Sequence, residues 1–155
     1  MTDSTPCTEW NVGQLVEHVV GGAGYASVAL AGAHPQPSDP SQSAVDAYDA
    51  NVGKTLEACG QAGAMEKLVQ SPMGEIPGGQ LMAGLFMDQL IHGWDLAKAT
   101  GQDTAMPAQL VEVCYQMFAP NIDMLRQSGE FGPEVSVSSD ASVQDKLISL
   151  TGRQP

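Results

Sequence analysis

Asp88-Gln89-Leu90-Ile91-His92-Gly93-Trp94-Asp95-Leu96-Ala97 lies in the most apolar helical pattern of the chain and sets a carboxylate and an imidazole four residues apart. Residues at that spacing stand one above the other on an α-helix. On a helical wheel begun at Leu81, that residue shares one sector with Leu85, Asp88, His92, Asp95, Leu96 and Ala99. The other side carries Ala83, Phe86, Met87, Leu90, Trp94 and Ala97. A helix apolar on nearly every side belongs at the centre of a helical domain, and here its ionisable groups fall on one line. A carboxylate and a neutral imidazole one turn apart can chelate a single cation. The same polar residues also suit an ordinary wet face, although four apolar side chains in their sector argue against it.

Working outward, the turn Ile76-Pro77-Gly78-Gly79 starts this helix, and Gly101 is a natural residue to end it just after Thr100. Toward the amino terminus, Asn11 with Gln14 three residues on forms a capping-box pattern. The helix it opens runs to about Leu30, with the stripe Val12, Leu15, Val16, Val19, Ala23, Ala26 and Leu30. His18 sits on the shoulder of that stripe and reads either as a structural, half-exposed histidine or as a ligand. Three prolines make Gly32–Pro40 a loop, with His34 expected in solvent. A second helix follows from Ser41 to about Cys59, burying Val45, Tyr48, Val52, Thr55, Leu56 and Cys59. Met65–Val69 adds a further apolar turn, closed by Ser71-Pro72-Met73-Gly74.

Beyond the central helix, Pro107 opens a fourth helix whose core stripe is Leu110, Val113, Cys114, Met117, Phe118 and Leu125, kinked at Pro120. Gly129–Ser139 is irregular, with at most a short extended piece at Glu134–Ser138. Asp140 caps a last helix from Ala141 to about Leu150, carrying Val143, Leu147 and Leu150. The expected fold is all-α, a bundle with short connections, in a single domain over residues 1–155.

Composition narrows the function classes. The 155 residues hold 18 acidic and 6 basic side chains, a net charge of −12. With no basic stripe, a nucleic-acid surface or an anionic-membrane surface is not expected. No run reaches the ~18 apolar residues of a membrane span, and the amino terminus has no basic region of a signal peptide. Cys7, Cys59 and Cys114 are odd in number and far apart, which fits free thiols in a reducing cytoplasm. Cys7 has no histidine near it in sequence and reads as a packing residue.

Three separated motifs carry a family resemblance. Thr5-Pro6-Cys7-Thr8-Glu9-Trp10-Asn11-Val12, followed by Leu15-Val16-Glu17-His18-Val19, is one. Asp88 to Gln102, with His92-Gly93-Trp94-Asp95-Leu96-Ala97 inside it, is the second. Phe131-Gly132-Pro133, Asp140-Ala141 and Thr151-Gly152-Arg153 form the third. Together they resemble the mycothiol-dependent maleylpyruvate isomerase N-terminal domain family, in the DinB-like superfamily of metal-binding helical bundles. The resemblance implies a DinB-like four-helix bundle with divalent-metal ligands His18, Asp88 and His92. Three protein ligands leave a position open, as at catalytic rather than structural sites. Such a donor set suits Zn²⁺, with Ni²⁺, Fe²⁺ and Mn²⁺ also fitting.

The family's chemistry further implies mycothiol as cosubstrate. A cation stabilises its thiolate, which attacks a small electrophile without a protein nucleophile. Asp95 and Trp94 lie one turn on. Asp95 either orients a ligand histidine, anchors its helix, or caps a neighbouring segment. Family members usually carry one more helix before the first motif and the larger isomerases a second domain, so this chain is expected to lack both. An uncovered apolar groove would follow, and with it a homodimer. Three functions fit: a metal-dependent thiol transferase or isomerase-like enzyme, a non-catalytic metal- or small-ligand-binding module, or a degenerate structural bundle.

Overall fold

The Asn11 side chain accepts from the Gln14 amide while Gln14 Oε1 accepts from the Asn11 amide, both at 3.0 Å. This reciprocal cap starts α1, Val12–Ala31. At its other end Gly32 takes the left-handed conformation (φ 67°) and Lys67 Nζ donates to the Leu30 carbonyl, placing a cation where the helix dipole is negative. The computed structural model describes residues 1–33, 41–71, 74–127, 129 and 131–155. The expectation that His34 lies in solvent falls outside these residues.

Ser43 caps α2, Ala44–Cys59. This helix packs on α1 partly through the stripe expected, of which Thr55 is buried and Tyr48, Val52 and Cys59 are half-buried, and partly through polar contacts. Asn51 Nδ2 donates to Val20 O (2.9 Å) and buried Thr55 donates to Ala23 O (2.6 Å). Val45 and Leu56, expected inside, are 69% and 66% exposed. Gly24 makes room for the polar contact. A Cβ at Gly24 would lie 2.9 Å from Asn51 Cγ, so α2 comes close enough for its short polar groups to reach the α1 backbone.

Where one more apolar helical turn was expected, the chain forms an antiparallel hairpin instead. Its strands are β1, Leu68–Ser71, and β2, Gly74–Pro77, with Val69 opposite Ile76. The hairpin sets up the next helix, α3, Gly78–Ala99. Pro77 has no side-chain donor or acceptor to cap it, and the first amides are satisfied by backbone carbonyls. Gly78 N donates to Lys67 O and Gly79 N to Met65 O, each at 2.8 Å. A Cβ at Gly78 would collide with the Ala64 carbonyl oxygen, so this junction closes only around a glycine.

Next come α4, Ala108–Phe118, a 3₁₀ turn over Ala119–Asn121 at the expected proline kink, and α5, Ile122–Gln127. The last helix is α6, Val143–Leu150, capped by Ser142 rather than Asp140, whose carboxylate accepts from Ser138 Oγ instead. Glu134–Ser138 contributes no strand. The main core joins Met87, Ile91 and Trp94 of α3 to Val111 and Cys114 of α4 and Leu147 and Ile148 of α6. A smaller one joins Leu30, Ala64 and Val69. Leu110, Val113 and Met117, expected in the core, are exposed on α4, because that helix is covered on only one side.

The protein is therefore mostly helical, in line with the all-α expectation, with one small two-stranded sheet added to it. No helix among the described residues is long and apolar enough to cross a membrane.

Candidate metal centre

The bend that brings the amino-terminal segment over α1 and α3 is built from short-range bonds. Thr5 Oγ1 lies 2.9 Å from Cys7 O and 2.8 Å from Trp10 O, and Ser4 bridges Asn11. The Trp10 indole is thereby laid against two imidazoles, 4.3 Å from the His18 ring centroid and 5.4 Å from that of His92.

Beneath it the three side chains named from the family resemblance come together. His18 Nε2 is 2.9 Å from Asp88 Oδ1, and His92 Nε2 is 3.4 Å from the same oxygen. One donor atom from each residue lies within 4.8 Å of the other two. For a cation with bonds of about 2.0–2.1 Å, adjacent donors stand roughly 2.9–3.4 Å apart. The geometry and the donor types fit a divalent ion. The second Asp88 oxygen accepts from Gln89 Nε2 (3.3 Å), which also donates to Val19 O (3.2 Å). A Cβ at Gly22 would press within 3.1 Å of Gln89 Nε2, so this glycine leaves room for the amide behind the carboxylate.

Behind His92 lies Asp95, fully buried, which accepts from His92 Nδ1 at 2.9 Å. Its charge is met by Arg153 from the far end of the chain. Arg153 Nε is 2.9 Å from Oδ1, and Nη2 is 2.8 Å from Oδ2. Asp95 thus both orients the histidine and anchors a distant segment.

The protonation states follow from these contacts. Burial pushes the Asp88 carboxyl up, but hydrogen bonds from His18 and His92 outweigh it and hold it well below the usual carboxylate range. Burial likewise disfavours the charged form of His92, yet the carboxylates of Asp88 and Asp95 leave its pKa raised. Asp95 is lowered because His92 and Arg153 overcome its desolvation. A carboxylate can only accept, so the proton between His92 and Asp95 sits on Nδ1. The Nε2 lone pair of a neutral His92 then faces Asp88 Oδ1, and two electron-rich atoms at that separation need a positive centre between them: a proton or a metal ion.

Sequence reasoning passed over two contributors. Trp10 and Arg153 stand in the quoted motifs but received no role there. A carboxylate in an apolar helix calls for a cationic partner, and with only 6 basic residues to choose from, Arg153 was within reach of that argument. Cys7, expected as a packing residue, does have a histidine near it in space, since its thiol falls within 4.8 Å of donor atoms of His92 and Asp95. Arg153 occupies Asp95, so this second grouping is a poor cation site. Burial raises the thiols of Cys7 and Cys59, and that of Cys114 to about 11, so none of the three is a ready thiolate.

Fold and site together define a mainly helical domain with a histidine–aspartate–histidine cluster between its first and central helices. The chain belongs to the Mycothiol maleylpyruvate isomerase N-terminal domain family, which residues 1–97 match. It is also similar to two proteins of Mycobacterium tuberculosis, Uncharacterized protein MT0763 (strain CDC 1551 / Oshkosh) and Uncharacterized protein Rv0738 (strain ATCC 25618 / H37Rv). Each is 39% identical over 152 residues, covering 96% of this chain and 82% of the relative. No solved structure matches the chain at a significant level.

Proposed function

We propose that His18, Asp88 and His92 hold one divalent cation, Zn²⁺ before Ni²⁺, Fe²⁺ or Mn²⁺, in a DinB-like four-helix bundle. The domain then acts as a thiol transferase or isomerase-like enzyme on a small electrophile, with a low-molecular-weight thiol of the mycothiol type as cosubstrate. The carrying observation is the 3.4 Å approach of His92 Nε2 to Asp88 Oδ1 while Nδ1 is committed to Asp95.

A bound cation would supply Lewis acidity and favour the thiolate form of an incoming thiol. The chain's own residues do the rest. Asp88 supplies the negative charge, His18 and His92 the neutral donors, Asp95 the tautomer of His92, and Trp10 an apolar wall over both rings. The free cysteines fit a reducing cytoplasm.

The test is metal analysis of protein purified without chelator, followed by titration of a mycothiol analogue against a panel of electrophiles. About one equivalent of metal and measurable thiol consumption are expected. Protein that takes up no metal would remove the reading. Metal without turnover would favour a binding module instead.

Self-association belongs to the same proposal. Leu110, Val113, Met117 and Met124 stand exposed at helical spacing along α4 and α5, a stripe without charge that suits a second copy. Sedimentation as a monomer at micromolar concentration would count against the dimer.

A further inference from the structure

The C-terminal segment lies outside the residues that match the family, yet it reaches the candidate centre. Here Ser149, Thr151 and Arg153 are all buried, and three devices hold them. Thr151 Oγ1 and the Arg153 amide both donate to Ile148 O, at 2.7 and 3.3 Å. Gly152, at φ 83°, lies against the Gly132 backbone, where a Cβ would come within 2.9 Å of Gly132 Cα. Arg126 Nη2 donates to Leu150 O at 3.0 Å. Both arginines of the chain thus serve this one segment.

We propose that the segment is a working part of the centre: Arg153 is a positioning residue that acts through Asp95 on His92, so that docking of the C terminus and cation binding strengthen each other. The second half rests on the cation reading given above. The link is a single atom, Asp95 Oδ2, which accepts both from Arg153 Nη2 (2.8 Å) and from His92 Nδ1 (2.9 Å). Pulled by the guanidinium, the carboxylate is fixed in place and in turn fixes the plane and tautomer of the imidazole. Without Arg153 it would be a buried anion with one partner, free to rotate or to draw a proton, and His92 would lose its orientation. Loss of the group that orients a ligating histidine, here Asp95, typically costs 10–100-fold in metal affinity, and Arg153 acts on that group. Binding linkage is reciprocal, so the cation must favour the docked segment by the same factor.

The experiment pairs Zn²⁺ titration with hydrogen exchange of the peptide covering residues 147–155, whose Thr151, Gly152 and Arg153 amides are bonded to Ile148 and Ser149 carbonyls. Zinc should slow exchange of those amides. Arg153→Lys keeps the charge but loses the two-pronged contact, and should weaken zinc binding by about 10-fold in protein that remains folded; Arg153→Met should weaken it further. The double variant Asp95→Asn/Arg153→Met removes both charges, leaves an acceptor for His92 Nδ1, and should recover part of the affinity lost in Arg153→Met. A merely structural salt bridge predicts equal zinc affinity in every folded variant and exchange indifferent to zinc, and either result overturns the proposal. If the unmodified protein binds no zinc, the cation reading fails, and the Arg153–Asp95–His92 link is judged on the metal-free protein alone. There His92→Ala should speed exchange of the same amides several-fold, and unchanged exchange would end that link too.

Discussion

Replacing Asp95 with alanine should lower the stability of the folded protein by about 3–5 kcal/mol, the usual consequence of removing one member of a buried ion pair. The carboxylate is fully buried and satisfies Arg153 through two nitrogens and His92 through a third. The alanine variant would leave a buried guanidinium bonded, among the described residues, to the Thr151 carbonyl alone (3.1 Å), and the His92 Nδ1 proton without the carboxylate that accepts it. The midpoint of urea unfolding measures the effect directly. The pair Arg126–Asp123 provides the contrast: its carboxylate is 86% exposed, so Asp123→Ala should cost less than about 1 kcal/mol. Equal, small losses at both positions would mean that Asp95 is not buried as described.

His92→Ala should reduce affinity for Zn²⁺ on the order of 100-fold or more, judged from the several kcal/mol that each ligand contributes in protein zinc sites. His18 and Asp88 would remain, but they come from different helices, and two donors do not enclose an ion. His18→Ala should behave alike. Glu17→Ala, next to His18 but exposed, should leave affinity unchanged. Competition with a chromogenic chelator gives the numbers, and wild-type affinity in His92→Ala would show that zinc, if bound at all, sits elsewhere.

The two effects separate what was legible along the chain from what was not. The Asp88–His92 spacing is a property of one helix, visible without any fold. The Asn11–Gln14 cap and the break at Pro120 are local in the same sense and stand where expected. The apolar run near Val69 was ambiguous because four residues of strand and one helical turn have the same hydrophobicity. Pairing with Ile76 across the hairpin decided it. On α2 Thr55 is buried as expected, but Val45 and Leu56 face solvent and Asn51 makes an approach that hydrophobic periodicity does not register, because Gly24 opposite leaves room for it. Half of the α4 stripe lies exposed because periodicity marks a greasy face without saying whether anything covers it.

What the sequence determined by itself, then, was the set of long helices, the Asn11–Gln14 cap and the Asp88–His92 spacing on the central helix, because each depends on side chains within a few residues of one another. The hairpin, the polar seam between α1 and α2, the seat of Trp10 over the two imidazoles and the grip of Arg153 on Asp95 were decided only by tertiary structure. Those contacts join residues that share no local pattern. They form when burial of an apolar core leaves a polar group, such as the Asp95 carboxylate, with one cation in reach.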